Sequence, residues 1–173
     1  MREIVTKRLL LAPLQEKDRD ALLAILTDEA VGRTYMVPPL AAQEERDAVF
    51  AHLYRLSHAE DRCFYGVFRE KRLIGMIHEV ERLHRSIELG YVIAPAEKNR
   101  GYASEALSAV IEKLFSEGWQ TVKAAAFAEN AASMRVMEKC GMTRTGHTET
   151  IPYRDREQVC IEYSIFCPTG LTD

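Results

Sequence analysis

Apolar positions recur along the chain with two periods, and the switches between them mark about seven strands and four helices. Arg8 to Leu14 (RLLLAPL) is a short apolar run and predicts a strand. Glu16 to Leu26 carries Ala21, Leu22, Ile25 and Leu26 at helical spacing. Gly32 to Leu40 reads as a loop, because the Pro38-Pro39 pair can neither continue a helix nor sit in a central strand. Gln43 to Ala59 predicts a second helix with Val49, Leu53 and Leu56 on one face. The middle of the chain is richer in strands. Cys63–Phe68 and Leu73–Val80 flank the charged turn Arg69-Glu70-Lys71-Arg72 and predict a hairpin, and Ile87–Ile93 follows as a third strand. Ala103, Ala106, Leu107, Val110, Ile111, Leu114 and Phe115 then trace the buried face of a strong helix that Gly118 stops. Thr121–Phe127 reads as a strand and Asn130–Lys139 as a short helix ended by Gly141. Two more strands, about Met142–Ile151 and Val159–Phe166, close the order βααβββαβαββ. Strands that both precede and alternate with helices imply an α/β fold, a mixed sheet with helices on its faces. No repeat, low-complexity segment or linker interrupts it.

At 173 residues this is one domain, 1–173, long enough to bury a core without a metal or disulfide scaffold. The 23 Lys and Arg against 26 Asp and Glu leave a net charge of −3, which argues against clamping nucleic acid through bulk charge. The apolar stretches are far shorter than a membrane span needs. The opening Met1-Arg2-Glu3-Ile4-Val5-Thr6-Lys7-Arg8 has charges on both sides of a tiny apolar patch, unlike a signal peptide. The expectation is a cytoplasmic protein with no membrane or nucleic-acid partner. Cys63, Cys140, Cys160 and Cys167 lack the two-residue spacing of zinc or redox motifs, so they read as reduced, packed thiols, and no metal is expected.

Two segments carry candidate chemistry. Lys98-Asn99-Arg100-Gly101-Tyr102-Ala103-Ser104 joins a strand to a helix. A helix N-terminus offers free N–H groups and a positive dipole end, a Gly there admits a ligand's oxygens, and Lys98 and Arg100 add charge. An ordinary strand-to-helix turn would look the same. The segment lacks the Gly-Lys-Ser/Thr ending of a nucleotide P-loop and the triple-Gly dinucleotide fingerprint. In the second segment, Asn130 opens a helix and Ser133 lies in its first turn; taken alone, both fit structural caps.

Together the segments resemble the acyl-CoA-binding core of the GNAT superfamily of N-acetyltransferases. The family's pyrophosphate loop, Arg/Gln-x-x-Gly-x-Gly/Ala, is matched by Lys98 to Ala103, with Lys98 replacing Arg or Gln and Asn99 standing where Gly is common. Asn tolerates left-handed backbone angles. Asn130-x-x-Ser133 followed by Arg135-Val136-Met137-Glu138-Lys139-Cys140-Gly141-Met142 matches a second signature. Thr6-Lys7-Arg8-Leu9-Leu10-Leu11, Leu73-Ile74-Gly75 and Glu88-Leu89-Gly90-Tyr91 resemble the ribosomal-protein N-terminal acetyltransferase (RimJ/RimL) branch, so the likeness spans about residues 6 to 166.

The resemblance implies a mixed, mostly antiparallel twisted sheet of about seven strands with four flanking helices. It also implies acetyl-CoA as co-substrate, and a primary amine (a protein N-terminus, peptide or small amine) as acceptor. Homodimers are common among look-alikes. The pantetheine arm would lie between splayed strands Ile87–Ile93 and Thr121–Phe127, pairing near Val92 and Ile93. Lys98, Asn99, Arg100, Gly101, Tyr102, Ala103 and Ser104 would hold the diphosphate, and the Asn130 side chain would reach the arm. Glu88, on a face with Gly90 and Val92 by alternation, is the candidate base, and Ser133 the candidate acid for the departing thiolate. Each also has a structural reading, as a salt-bridged glutamate and a helix-turn hydroxyl. Tyr153, Tyr163, His78 and His147 are further candidates that spacing does not select, and Glu149 is a candidate acceptor-binding acid. The acceptor groove would be built by the first two helices, the Gly32–Leu40 loop and the last hairpin. A CoA-binding scaffold without catalysis is the alternative; a nucleotide phosphotransferase would need metal-ligating carboxylates that Glu105 alone does not supply.

Overall fold

The computed structural model describes residues 3–168; the ends of the expected 1–173 domain, residues 1–2 and 169–173, lie outside the described residues. Its elements run β1 (Ile4–Val5), β2 (Leu10–Ala12), α1 (Arg19–Leu26), α2 (Glu29–Thr34), α3 (Gln43–His58), β3 (Phe64–Arg69), β4 (Arg72–Leu83), β5 (Ser86–Ile93), α4 (Tyr102–Ser116), β6 (Thr121–Phe127), α5 (Ala131–Lys139), β7 (Thr143–Tyr153) and β8 (Arg156–Phe166). One eight-stranded sheet takes the order β1-β2-β3-β4-β5-β6-β8-β7. Every neighbouring pair is antiparallel except β5 and β6.

Helices cover both faces. The stripe Ala106, Leu107, Val110, Ile111, Leu114 and Phe115 seats α4 on the core face of Ile87, Leu89 and Val122, and Met137 brings in α5. On the opposite face Leu22, Ile25 and Leu26 of α1 pack against Phe64, Met76 and Val92, with Val49, Phe50 and Leu53 of α3 behind them. Alternation along β5 thus sends Leu89 and Tyr91 to one core and Val92 to the other. Gly118 ends α4 at φ +89, where the Trp119 N–H reaches back to the Leu114 carbonyl at 3.1 Å.

Two elements exceed the expected seven strands and four helices. The extra strand is β1, two residues paired with Leu10 and Leu11. The extra helix is α2, which takes the start of the segment read as a loop. Asp28 caps it by accepting from the Ala30 and Val31 N–H groups at 2.8 and 3.3 Å. The first predicted strand, Arg8–Leu14, contracts to Leu10–Ala12. The 69–72 turn holds Glu70 and Lys71 at φ 50 and 66, the left-handed pair that a tight hairpin matching strand twist requires.

Candidate active site

The site begins as a failure of strand pairing. β5 and β6 run parallel and pair only at Ser86–Thr121, Ile87–Val122 and Glu88–Lys123. Beyond that, residues 89–93 keep their partners on β4 and residues 124–127 keep theirs on β8, so the facing edges diverge with their backbone groups open. A cleft of ≈ 300 Å³ fills the split. Val92, Ile93, Lys98, Asn99, Gly101, Tyr102, Ala103, Ser104, Asn130 and Ser133 line it, so most of the expected site is brought together. Arg100 and Glu88 lie outside its wall.

At the upper end the chain passes from β5 through a 3-10 turn, Pro95–Glu97, into α4. Asn99 at φ 62 and Gly101 at φ 78 are both left-handed, so the substituted Asn adopts the geometry that a glycine would. No side chain caps α4, and none of the backbone N–H groups of residues 99–104 has an acceptor among the described residues. The turn is therefore a ring of amides at a positive helix end, a fit for a diphosphate.

Side chains behind the turn hold it in shape. Glu105 accepts from the Thr6 hydroxyl at 2.6 Å, the Arg8 amide at 2.8 Å and Arg8 Nε at 2.7 Å. Burial pushes the Glu105 carboxyl up, but these donors outweigh it and leave it below its ordinary range. Arg8 also donates to the Arg100 carbonyl at 2.9 Å and stacks on Tyr102, 4.6 Å from the ring centre. Glu97, 5% exposed, is ringed by Arg69, Arg72 and Arg100. Arg69 also pairs with the exposed Glu70 at 3.1 Å, so three guanidiniums on two carboxylates leave one positive charge in surplus beside the amides. The Thr6-Lys7-Arg8 motif is thus part of the site's scaffold, a role spacing alone does not reveal.

On the far wall, Asn130 Oδ1 caps α5 by accepting from the Ser133 N–H at 3.1 Å, and Nδ2 donates to the Thr34 carbonyl at 3.2 Å. The side chain expected to reach a ligand is engaged at both ends, and it ties α5 to the end of α2. Asn130→Ala should cost about 1 kcal/mol. The melting temperature should then fall by about 2–4 °C, read by differential scanning calorimetry. The Ser133 hydroxyl meets the Tyr91 hydroxyl at 2.7 Å, and Tyr91 OH also reaches the Ser133 carbonyl at 3.0 Å. Tyr91 therefore backs Ser133 from β5, a partnership across 42 residues that the sequence pattern did not flag.

The opposite lip faces the α2–α3 loop. Glu88 sits half-buried at the foot of the split, in register with Lys123 and near Glu81. Burial first, then repulsion from Glu162 and Glu81, raises its carboxyl above the ordinary value, and Lys123 pulls partly back. Lys123 is itself bound to Glu162 at 3.0 Å. Tyr35 and Gly90 line the cleft, and the Tyr35 hydroxyl meets His78 Nε2. The other candidates are placed elsewhere. Tyr153 donates to the Gly32 carbonyl at 3.0 Å and accepts from the Val37 N–H at 3.3 Å, pinning the loop. Tyr163 bonds Glu138 at 3.1 Å, and His147 and Glu149 are exposed on β7. The loop also lines a second cavity of ≈ 540 Å³ with Pro38, Pro39, Pro152 and Tyr153, built from the elements expected of an acceptor groove.

Comparison with known proteins agrees with this geometry. An uncharacterised N-acetyltransferase of Bacillus subtilis, YoaA, is 30% identical over 155 residues, 87% of this chain and 88% of its own. The crystal structure of an acetyltransferase of the GNAT family from Bacillus anthracis superposes with a TM-score of 0.81 at 29% identity, covering 95% of this chain and 98% of that one. RimL, a ribosomal L7/L12 α-N-protein acetyltransferase solved in complex with coenzyme A, shares the fold at a TM-score of 0.82 and 18% identity, over 95% of this chain and 98% of its own. The family model for the acetyltransferase (GNAT) domain matches residues 8–143, and with the split sheet and amide-lined turn inside that span, the chain belongs to the GNAT family of N-acetyltransferases.

Proposed function

We propose that this chain transfers an acetyl group from acetyl-CoA directly to a primary amine, either a peptide N-terminus or a small amine. The observation that carries the reading is the open pair of strand edges ending at an uncapped helix start. The arm of the thioester is an amide chain, and the free backbone groups near Val92 and Ile93 suit it as a third strand. The amides of residues 99–104, with Lys98 and Arg100 near them, suit the diphosphate. A backbone N–H at the split would polarise the thioester oxygen.

An amine in water near neutral pH is largely protonated, with a reference pKa of about 8 for an α-amine and about 10.4 for lysine. Glu88, at the foot of the split with a raised pKa, takes the first proton through water. Ser133, backed by the Tyr91 hydroxyl, gives a proton to the departing thiolate, in keeping with the ribosomal-protein branch that Thr6-Lys7-Arg8 resembles. The carboxylates Glu81, Glu88, Glu149 and Glu162 on this face favour a cationic acceptor.

The test is an acceptor screen of N-terminal peptides, polyamines and aminoglycosides with acetyl-CoA, followed by free-thiol release and mass spectrometry. A product 42 Da heavier than one of the amines is expected, the mass of an acetyl group replacing a hydrogen. Saturable acetyl-CoA binding with no turnover on any amine would replace the enzyme reading with that of a CoA-binding scaffold.

A further inference from the structure

The acceptor side of the cleft contains a hydrogen-bonded pair with no part in the steps above. His78 on β4 lies directly across from Gly90 on β5. A Cβ at position 90 would stand 2.9 Å from His78 Nε2, so glycine at 90 is what lets the imidazole lie against β5. His78 Nδ1 meets the Glu79 carbonyl oxygen at 3.0 Å. A carbonyl only accepts, so Nδ1 carries the proton and the neutral ring keeps its lone pair at Nε2. That lone pair faces the Tyr35 hydroxyl, with the two rings edge-on at 6.2 Å. Tyr35 is held by its own backbone: its N–H donates to the Val31 carbonyl at 2.8 Å, and its carbonyl, 3.2 Å from the Tyr153 hydroxyl, shares that hydroxyl's proton with the Gly32 carbonyl. Its phenol proton is committed to His78, and its oxygen keeps lone pairs for a donor in the cleft.

We propose that the Tyr35 hydroxyl accepts the proton lost by the attacking amine as the new N–C bond forms, and passes its own proton to Nε2 of His78. Tyr35 is then a catalytic residue and His78 the positioning residue behind it. The inference rests on the transferase reading and deepens it. Converting an ammonium to an amide removes two protons from nitrogen. Glu88 takes the first; the pair takes the second while the C–N bond forms and the C–S bond breaks. The thiolate gains one proton from Ser133, which is replenished from solvent. Glu88 and His78 each return theirs to solvent, so one proton is released per turnover. The elements around His78 bring Phe64 from β3, Gly90 from β5, Tyr35 from the loop and the Glu79 carboxylate from β4. Burial holds the imidazole below its ordinary value against the pull of Glu79, which keeps it neutral and able to accept.

Tyr35→Phe and His78→Gln separate this role from a structural one. Glutamine presents an oxygen to the phenol and an N–H to the Glu79 carbonyl but cannot take up a proton. With spermidine and a serine-initiated peptide as probes, both variants should lose about 10²-fold in kcat. Their acetyl-CoA dissociation constants, by calorimetry, and their acceptor KM should stay within about threefold on the same scale of effects. Wild-type turnover in His78→Gln would overturn the relay. Independently of any acceptor, long-range proton–nitrogen NMR of histidine-labelled protein at pH 7 should show His78 with Nε2 unprotonated. A proton on Nε2 would overturn the relay as well. Wild-type protein that binds acetyl-CoA and acetylates neither probe overturns the transferase reading and the relay with it, whereas a proton on Nε2 in an active enzyme overturns the relay alone.

Discussion

Gly101→Val should weaken acetyl-CoA binding roughly 30-fold while the fold survives. Gly101 has φ 78 and ψ 7, a conformation that costs an L residue about 1–2 kcal/mol and a β-branched one more. A factor of ten corresponds to about 1.4 kcal/mol, so about 2 kcal/mol gives the expected change. The new Cβ would also approach Arg8 Nη2 at 3.3 Å. Arg8 cannot easily give way, because Glu105, the Arg100 carbonyl and the Tyr102 ring fix it on three sides. Position 101 is exposed, so the turn relaxes locally instead of unfolding the sheet. Relaxation turns the free amides away from their common focus. Calorimetric titration with acetyl-CoA should record the loss, while binding of S-acetylpantetheine, which lacks the diphosphate, should be unaffected. An undiminished acetyl-CoA affinity would move the diphosphate away from this turn.

The same turn marks how far the sequence reaches. Its glycine, its basic flanks and the helix behind it follow from local chemistry, and the structure has them in the expected order. The alternation of β5 and the stripe of α4 are strong because each residue on those faces is buried against a neighbour it must match. What was hidden is tertiary. The two-residue β1 and six-residue α2 are too short for periodicity to register, and only pairing with Leu10 and Leu11 or the Asp28 cap makes them visible. The resemblance gave a split between β5 and β6, but its endpoint, after Glu88–Lys123, is set by where register ends, and no run of apolar residues encodes it. The Arg8–Glu105 clamp joins residues 97 apart, and the Tyr35–His78 pair residues 43 apart. Each side chain alone looks like an ordinary surface charge or strand histidine. Their meaning comes from the elements that bring them together.

Glu88→Gln should slow turnover by about 10²-fold and leave acetyl-CoA affinity nearly unchanged, because the carboxylate stands at the foot of the split and outside the wall of the cleft. The variant should also be more stable than the wild type at neutral pH. Burial and the carboxylates of Glu162 and Glu81 raise the folded-state pKa of Glu88 above its unfolded value of about 4.5. Between those two values the folded protein binds more protons than the unfolded chain, so stability falls as pH rises through the window. Glutamine carries no charge to bury. Its advantage in melting temperature should therefore vanish below about pH 4.5 and reach its full size above the raised pKa. Activity should show the reverse dependence: the acid limb of kcat/KM that Glu88 sets in the wild type should disappear in the variant. Wild-type turnover across pH would remove Glu88 from proton transfer. Equal melting temperatures at pH 7 would mean that the carboxylate is better solvated than its neighbours imply. A residue that makes the fold less stable and the reaction faster is the pattern expected where a charge is kept in an unfavourable place for its chemistry.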